Sequence, residues 1–295
     1  MVITSHSSII SQRKNIDNTN VFLTSERIKE TSRVKNKHKG NNENEKRNVS
    51  SRSIVVHPVM SKATPENNYP IGRFFKRLPD GSDGSCTASV INTRNGNIGI
   101  TAAHCLLDSS NGDILDKSAF TFSPGYDNGT HKLDESVDVE DFEIPLTFLV
   151  ASSINDYALV KFAFKDPFGK DETLQYYTGG LGWRFDIGND TLTNFFGYSG
   201  NGDLENCIRD GRHLCEWQGY TQLESDDEGD YDYVIRGNLG YGASGGPLIY
   251  KYNRTINLGY VYSVYRAWRI ASNESVAYAF DETVFTSLLS RLHVS

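Results

Sequence analysis

From about Tyr69 onward, apolar and polar residues alternate in short runs that are separated by glycine, asparagine and aspartate. A period of two places alternate side chains on one face of a strand, so the pattern predicts β-strands. In 158–164, for example, Val160, Phe162 and Phe164 share a face. The predicted strands are 87–92, 99–102, 120–122, 144–150, 158–164, 194–198, 233–235, 247–252 and 258–265. They indicate an all-β barrel or sandwich.

One helix is predicted, at 281–292. Asp281 is placed to cap its first turn, and Val284, Phe285, Leu288, Leu289 and Leu292 form an apolar stripe at helical spacing. No repeat of 20–50 residues is visible, which argues against solenoids and propellers. The glycine-rich, acidic stretch at 165–190 is the expected connection between two β halves.

The first 50 residues differ from the rest in composition. Residues 1–60 contain eleven Lys and Arg against five Asp and Glu, whereas the remainder has a formal net charge of −13. Asn, Ser, Lys and Arg dominate 1–50, so we expect a disordered basic tail or pro-segment there and a linker at 51–69. The tail lacks interleaved aromatic residues and an amphipathic period, so neither nucleic acid nor a membrane is expected as a partner. Glu45-Lys46-Arg47 offers a dibasic processing site.

Cysteines and sequons indicate export. Four cysteines form an even set of two locally spaced pairs, which suits two disulfides in an oxidising compartment. Five glycosylation sequons, at Asn48, Asn128, Asn189, Asn253 and Asn273, agree with a secreted glycoprotein. No apolar signal core and no transmembrane stretch is visible, so we expect that the signal is missing from this sequence or that export uses another route.

Three separated segments contain the residue types that acyl transfer requires, namely a nucleophile, a base, an acid that orients the base, and oxyanion donors. The first segment, 101–105, reads TAAHC and contains His104. The second, 155–160, reads NDYALV and contains Asp156. The third, 240–248, reads GYGASGGPL and contains Ser244.

In this order the three segments resemble the His, Asp and Ser motifs of trypsin/chymotrypsin-like serine peptidases, over roughly 70–292. The resemblance implies two six-stranded antiparallel β-barrels in a domain at 70–295: barrel one at about 70–165, barrel two at about 175–280, and the C-terminal α-helix at 281–292. The chain is most similar to the microbial branch that includes glutamyl endopeptidases. The segments that carry this similarity are SCTASV at 85–90, FSPGY at 122–126 and GY at 197–198.

The resemblance also implies residue roles in a serine endopeptidase. Ser244 would be the nucleophile, His104 the base and Asp156 its orienting acid, while the backbone N–H groups of Gly242 and Ser244 would form the oxyanion hole. Ser263 would pair with substrate backbone. Disulfides Cys86–Cys105 and Cys207–Cys215 and protein or peptide substrates are also implied. Asn238 and Tyr241 are further expected substrate-binding residues, and we expect no cofactor, no metal and a monomer.

Other interpretations fit the sequence less well. A zinc site at His104 and Cys105 lacks a C-x-x-C or H-x-x-x-H partner. Residues 242–246 also fit the G-x-S-x-G elbow of α/β-hydrolases, but that fold needs a histidine after the serine, and only His293 follows Ser244. A non-catalytic protease homologue that binds a partner remains an alternative, as does an enzyme that cleaves only esters.

Several positions depart from the family pattern. Ala243 stands where zymogens commonly have the Asp that pairs with a new N-terminus. Asn238 stands where trypsins have Asp, which argues against a tryptic preference. Glutamyl endopeptidases have a histidine on the pocket strand, but 260–263 contains none, so a preference for Glu is not supported either. Arg266 and Arg269 are expected to be surface charges. The acidic run 224–232 is expected to be a solvated loop.

Overall fold

A computed structural model describes residues 53–294 of the chain, apart from 134, 153, 206 and 226–229. The predicted tail at 1–50 lies outside the described residues. Among those described, no helix is both long enough and apolar enough to span a bilayer.

Barrel one is a closed ring of six antiparallel strands in the order β2-β3-β4-β7-β6-β5. Its strands are β2 Ile71–Arg77, β3 Asp83–Val90, β4 Ile98–Thr101, β5 Phe120–Pro124, β6 Val137–Glu143 and β7 Ala158–Phe162. Stacked phenylalanines fill the interior; the rings of Phe122 and Phe162 are 4.5 Å apart between centroids.

Barrel two is a second closed ring of six antiparallel strands, β13-β12-β9-β10-β11-β14, which the pairing of β13 with β14 completes. Its strands are β9 Thr191–Gly197, β10 Cys215–Ser225, β11 Tyr231–Arg236, β12 Pro247–Asn253, β13 Leu258–Arg269 and β14 Glu274–Tyr278. The prediction of two six-stranded antiparallel barrels is confirmed.

Two short strands extend barrel two. β8 Gly182–Arg184 runs parallel to β13, and β1 Val55–Val56 pairs antiparallel with β8. The segment 53–69, predicted to be a linker, therefore adds a strand to the sheet. The connection at 165–190 contains both β8 and a one-turn helix, α2 Leu174–Thr178.

The C-terminal helix, α3 Glu282–Val294, begins where the sequence predicted. The Asp281 carboxylate accepts a hydrogen bond from the Val284 N–H at 2.9 Å, which satisfies a free donor of the first turn. Phe285, Leu288 and Leu292 are buried in a cluster that also contains Ile100 of barrel one and Val261 of barrel two. The helix thus helps to hold the two barrels together.

One predicted strand is wrong. Residues 144–150 were predicted to be β, but Leu146–Val150 is a short helix, α1. Pro145 precedes it with φ −57°, a value that proline favours at a helix start. The apolar run is too short for its period to separate a strand from one helical turn.

Candidate active site

His104 lies in a 3₁₀ turn, Ala103–Leu106, directly after β4. Strand β4 is fully buried, so the turn stands on rigid structure. The disulfide between Cys86 and Cys105 joins β3 to this turn, as the resemblance implied. About a third of the His104 side chain is exposed. The imidazole is therefore anchored at its base and open to solvent.

Asp156 lies just before β7 and is held against the histidine. Asn155 has φ +53°, a left-handed conformation that asparagine tolerates, and it turns the chain into β7. Asp156 Oδ2 is 2.9 Å from His104 Nδ1, and Asp156 Oδ1 accepts a hydrogen bond from the His104 backbone N–H at 3.0 Å. Only 7% of the Asp156 side chain is exposed. Both carboxylate oxygens therefore fix the position of one residue.

The Asp156 contact decides which imidazole nitrogen is free. A carboxylate accepts hydrogen bonds, so Nδ1 carries the proton in the neutral ring and Nε2 presents its lone pair. Nε2 lies 3.9 Å from Cys105 Sγ, a disulfide sulfur that has no proton to donate. The arrangement can therefore accept a proton at Nε2.

Ser244 lies on the loop between β11 and β12. Gly242 and Gly245 flank it with φ +83° and +80°, a region that glycine enters without steric cost. Ser244 is half-buried, and within the described part of the chain its Oγ makes no hydrogen bond, including to His104. The hydroxyl is thus uncommitted to any other partner.

The backbone of the Ser244 loop leaves donors unused. Among the described residues, no acceptor receives the N–H groups of Gly242, Ala243 or Ser244, whereas the Gly245 N–H donates to Tyr265 O at 2.8 Å and the Gly246 N–H to Ala243 O. Adjacent free N–H groups are what an oxyanion requires.

Thr87 of β3 joins the Ser244 loop to barrel one. Its N–H donates to Ser244 O at 2.7 Å, and its hydroxyl donates to Gly242 O at 3.0 Å. The same hydroxyl accepts the Tyr198 N–H at 3.0 Å. Thr87 is completely buried. It therefore ties both ends of the candidate oxyanion hole to β3, next to Cys86.

Thr87 is a site residue that motif reasoning missed. The sequence offered one signal, its position directly after Cys86 in the segment that carried the family resemblance. A threonine in a strand is otherwise unremarkable.

The residues expected to bind substrate lie beside this loop. Asn238 Oδ1 accepts the Gly240 N–H at 2.8 Å, so its side chain shapes the turn. Tyr241 is 76% exposed. Ser263 is buried on β13, where its hydroxyl donates to Tyr278 O at 2.6 Å.

The expectation that Arg266 is a surface charge is wrong. Only 16% of its side chain is exposed, and it makes two hydrogen bonds to the buried Asp232, at 3.1 and 2.7 Å. Burial lowers the pKa of the guanidinium, but the Asp232 contacts outweigh it and raise that pKa overall, with a further contribution from Asp156. Arg269 also contacts Asp232. The acidic run 224–232 is therefore partly neutralised by ion pairs, while 226–229 lie outside the described residues.

A metal at this site lacks suitable ligands. Cys86, His104 and Cys105 are the one group of potential ligands within 4.8 Å of one another in the described ranges. Both sulfurs are consumed by the disulfide, so neither offers the thiolate that binds metals. The second disulfide, between Cys207 and Cys215, closes a small loop before β10.

Comparisons with known proteins agree with this architecture. A thermostable serine protease, AL20, from an extremophilic microorganism has TM-score 0.60 and 22% identity, covering 75% of this chain and 95% of its own. The protease Anisep from Arthrobacter nicotinovorans has TM-score 0.61 and 20% identity, covering 82% and 100%. A Glu endopeptidase has TM-score 0.53 and 16% identity, covering 75% and 90%.

No protein-family model and no curated protein matches the sequence. The structural likeness shows the fold: the chain has the trypsin/chymotrypsin-like serine protease fold.

Proposed function

We propose that the chain is a serine endopeptidase with Ser244 as nucleophile, His104 as general base and Asp156 as the acid that orients the base. One observation carries the proposal: Asp156 binds both the backbone N–H and the Nδ1 of His104, which leaves Nε2 as the free ring nitrogen. An arrangement that fixes the tautomer and orientation of an imidazole serves proton transfer.

In the proposed reaction, Ser244 Oγ attacks the scissile carbonyl carbon and His104 Nε2 takes the hydroxyl proton. The developing oxyanion accepts hydrogen bonds from the N–H groups of Gly242 and Ser244. The C–N bond then breaks, and His104 gives its proton to the leaving amine. Water hydrolyses the acyl-enzyme by the same steps, with His104 again as base.

Substrate recognition is assigned to the elements around the Ser244 loop. Asn238 and Tyr241 are proposed to line the pocket for the side chain before the scissile bond, and Ser263 marks the part of β13 that pairs with substrate backbone. The proposed substrates are proteins or peptides outside the cell. Two disulfides support secretion, because such bonds persist in oxidising compartments.

The main alternative is a non-catalytic homologue that binds a partner; an enzyme that cleaves only esters is a third possibility. The free Nε2 and the unused N–H groups favour catalysis, because a binding protein has no need of either. Cleavage of a mixed peptide library by oxidatively refolded protein separates the three. We expect peptide cleavage that is lost in Ser244→Ala. Ester cleavage alone, or no cleavage with and without residues 1–47, would favour an alternative.

We further propose that residues before about 50 form a pro-segment, which the dibasic Lys46-Arg47 would allow a processing protease to remove. Ala243 excludes the usual Asp salt bridge of zymogen activation, and its side chain is fully buried beside Gly197. N-terminal sequencing of active secreted protein tests the idea. An intact Met1 in active material would contradict it.

A further inference from the structure

A basic groove of about 750 Å³ lies along the outside of barrel one. Its charged lining residues are Arg73, Lys76, Arg77, Arg212 and a single carboxylate among those described, Asp83. Residues 61–295 contain 19 Lys and Arg against 32 Asp and Glu. This part of the chain is acidic overall, so four cations in one groove are a local excess of positive charge.

The groove begins beside the candidate oxyanion hole. Ser85 belongs to its lining, and the Ser85 carbonyl oxygen lies 3.9 Å from where a Cβ on Gly242 would stand. β13 contacts the Ser244 loop through Tyr265, which bonds to Gly245. A substrate that pairs with β13 before its scissile bond and passes Ser244 would then continue into the groove.

Arg73 is the most strongly positioned cation of the groove. Its guanidinium lies over the rings of Phe75 and Tyr126, at 4.7 and 5.3 Å from their centroids. It donates to Tyr126 Oη at 3.3 Å and to Ser85 Oγ at 3.2 Å. The side chain is thus pre-organised by aromatic stacking, which costs little further entropy when a ligand binds.

Arg73 also has unused binding capacity. A guanidinium has five N–H donors, and those two bonds leave one on each terminal nitrogen for a ligand; the remaining donor, Nε, is buried without an acceptor in the described part of the chain. No carboxylate in the described ranges forms an ion pair with Arg73. A partly buried charge without a counter-ion is costly unless a ligand supplies one.

We propose that this groove binds acidic side chains of the substrate on the leaving-group side of the scissile bond, with Arg73 as the principal contact and Arg212 as a second. The inference rests on the proposed function and adds a specificity to it. Arg212 is exposed. Arg77 is already paired with Asp83 at the surface, so its contribution is small.

The test uses peptides that share all residues up to the scissile bond and differ after it, with Asp and Glu in one series and Asn and Gln in the other. We expect kcat/KM to be about tenfold higher for the acidic series, because charge-assisted hydrogen bonds add affinity. Raising the ionic strength should shrink the ratio. A small ester without a leaving peptide should be hydrolysed independently of the groove.

Three variants locate the effect. Arg73→Gln should reduce the acidic preference, the ratio of kcat/KM between the two peptide series, to about twofold or less. Arg212→Gln, at an exposed position, should reduce it partly. Arg254→Gln removes one positive charge from a surface pair with Glu216 and should change nothing.

The outcomes separate the two proposals. Equal cleavage of both series by the wild type, or a preference retained in Arg73→Gln and Arg212→Gln, overturns the groove assignment while the protease remains. Loss of ester hydrolysis in Arg73→Gln signals a folding defect. In that case the acidic preference of Arg212→Gln and the salt dependence of the wild type decide whether the groove binds acidic side chains. No Ser244-dependent cleavage of any substrate overturns the proposed function and this inference with it.

Discussion

The backbone N–H of Thr87 donates to the carbonyl oxygen of Ser244 at 2.7 Å. This bond crosses from barrel one to barrel two. Thr87 follows Cys86, whose disulfide partner, Cys105, is the neighbour of His104. One short covalent and hydrogen-bonded path therefore connects the candidate nucleophile to the candidate base. The relative position of the barrels at the site is fixed locally, in addition to the apolar core between them.

Replacing Thr87 with Val tests the hydroxyl part of this connection. The change keeps the shape but leaves Gly242 O and the Tyr198 N–H without their partner in a buried place. We expect a loss of about 1–3 kcal/mol in the free energy of unfolding, because buried unpaired polar groups are costly. We also expect kcat/KM to fall about tenfold as the oxyanion donors lose their alignment. Denaturant unfolding and peptidase kinetics measure the two effects.

Thr87→Ser is the matched control, since it retains the hydroxyl and loses one methyl group. Near-normal kinetics are expected for it. If Thr87→Val kept full kcat/KM, the hydroxyl would have no role in positioning the loop.

Gly245 is required for close approach of the two barrels. A Cβ at this position would stand 2.3 Å from Thr87 O and 2.8 Å from Ala102 N, with φ at +80°. Gly245→Ala should therefore displace Ser244 from the His104 side and reduce kcat/KM by about 100-fold or more, as misplacement by about an ångström does in enzymes.

Gly81→Ala is the control for backbone strain alone. Gly81 has φ +84° but nothing within 4 Å of the added Cβ. We expect this variant to lose some stability and no catalytic efficiency. Equal catalytic losses in both variants would show that strain, and not the barrel contact, is responsible.

The two disulfides should differ in their effect on activity. Cys86 and Cys105 are 19 residues apart and adjoin the site, whereas Cys207 and Cys215 are 8 apart and join a loop to the first residue of β10. Loop-closure entropy predicts stabilisation of about 3 kcal/mol for the first and about 2.5 kcal/mol for the second. Replacing the first pair with Ala should also lower kcat, while replacing the second should not. Similar kinetics for both double variants would contradict a positioning role for the first disulfide.

Asp166 organises the connection between the barrels, and its lowered pKa predicts that the stability of the fold falls at acid pH. Its carboxylate accepts bonds from the N–H groups of Phe168, Lys170 and Glu172 and from Tyr177 Oη. Desolvation raises the pKa of Asp166, but these bonds outweigh it and lower the pKa from 3.8 to about 2. A lowered pKa stabilises the fold above pH 3.8, and the stabilisation is lost as the pH falls towards 2.

Asp166→Asn should therefore lower the melting temperature at neutral pH and flatten its decline between pH 4 and 2. Asp171→Asn, in the same connection and exposed, serves as the control. An unchanged acid profile in Asp166→Asn would show that other carboxylates cause the acid sensitivity.

Alternation along the chain predicted nine strands, of which one was wrong, and it missed several others. β6 and β10 contain acidic and polar residues on their outward faces, so their apolar content is low although their buried positions alternate. The edges and outer faces of a small barrel contact water, so the alternation of apolar and polar residues is only partly kept in these strands. The helix at 281–292 was predicted well because its cap and stripe are local features.

The candidate site likewise combines local features, which the sequence reveals, with long-range contacts, which it does not. His104, Asp156 and Ser244 were predicted as catalytic residues because each stands in a local motif. The Thr87 bonds and the Arg266 contact with Asp232 join strands that are distant in sequence, so only the folded barrels bring them together. Arg73 carried no motif, and its unused donors became visible only with its neighbours in place.

Covalent labelling by a fluorophosphonate, followed by mass spectrometry of the modified peptide, tests the central claim most directly. Such reagents trap a serine whose proton an adjacent base removes. We expect one label per molecule on Ser244, lost in both Ser244→Ala and His104→Ala when these variants remain folded. Folded protein that stays unlabelled, or that is labelled elsewhere and retains the label in His104→Ala, would contradict a Ser244 nucleophile activated by His104.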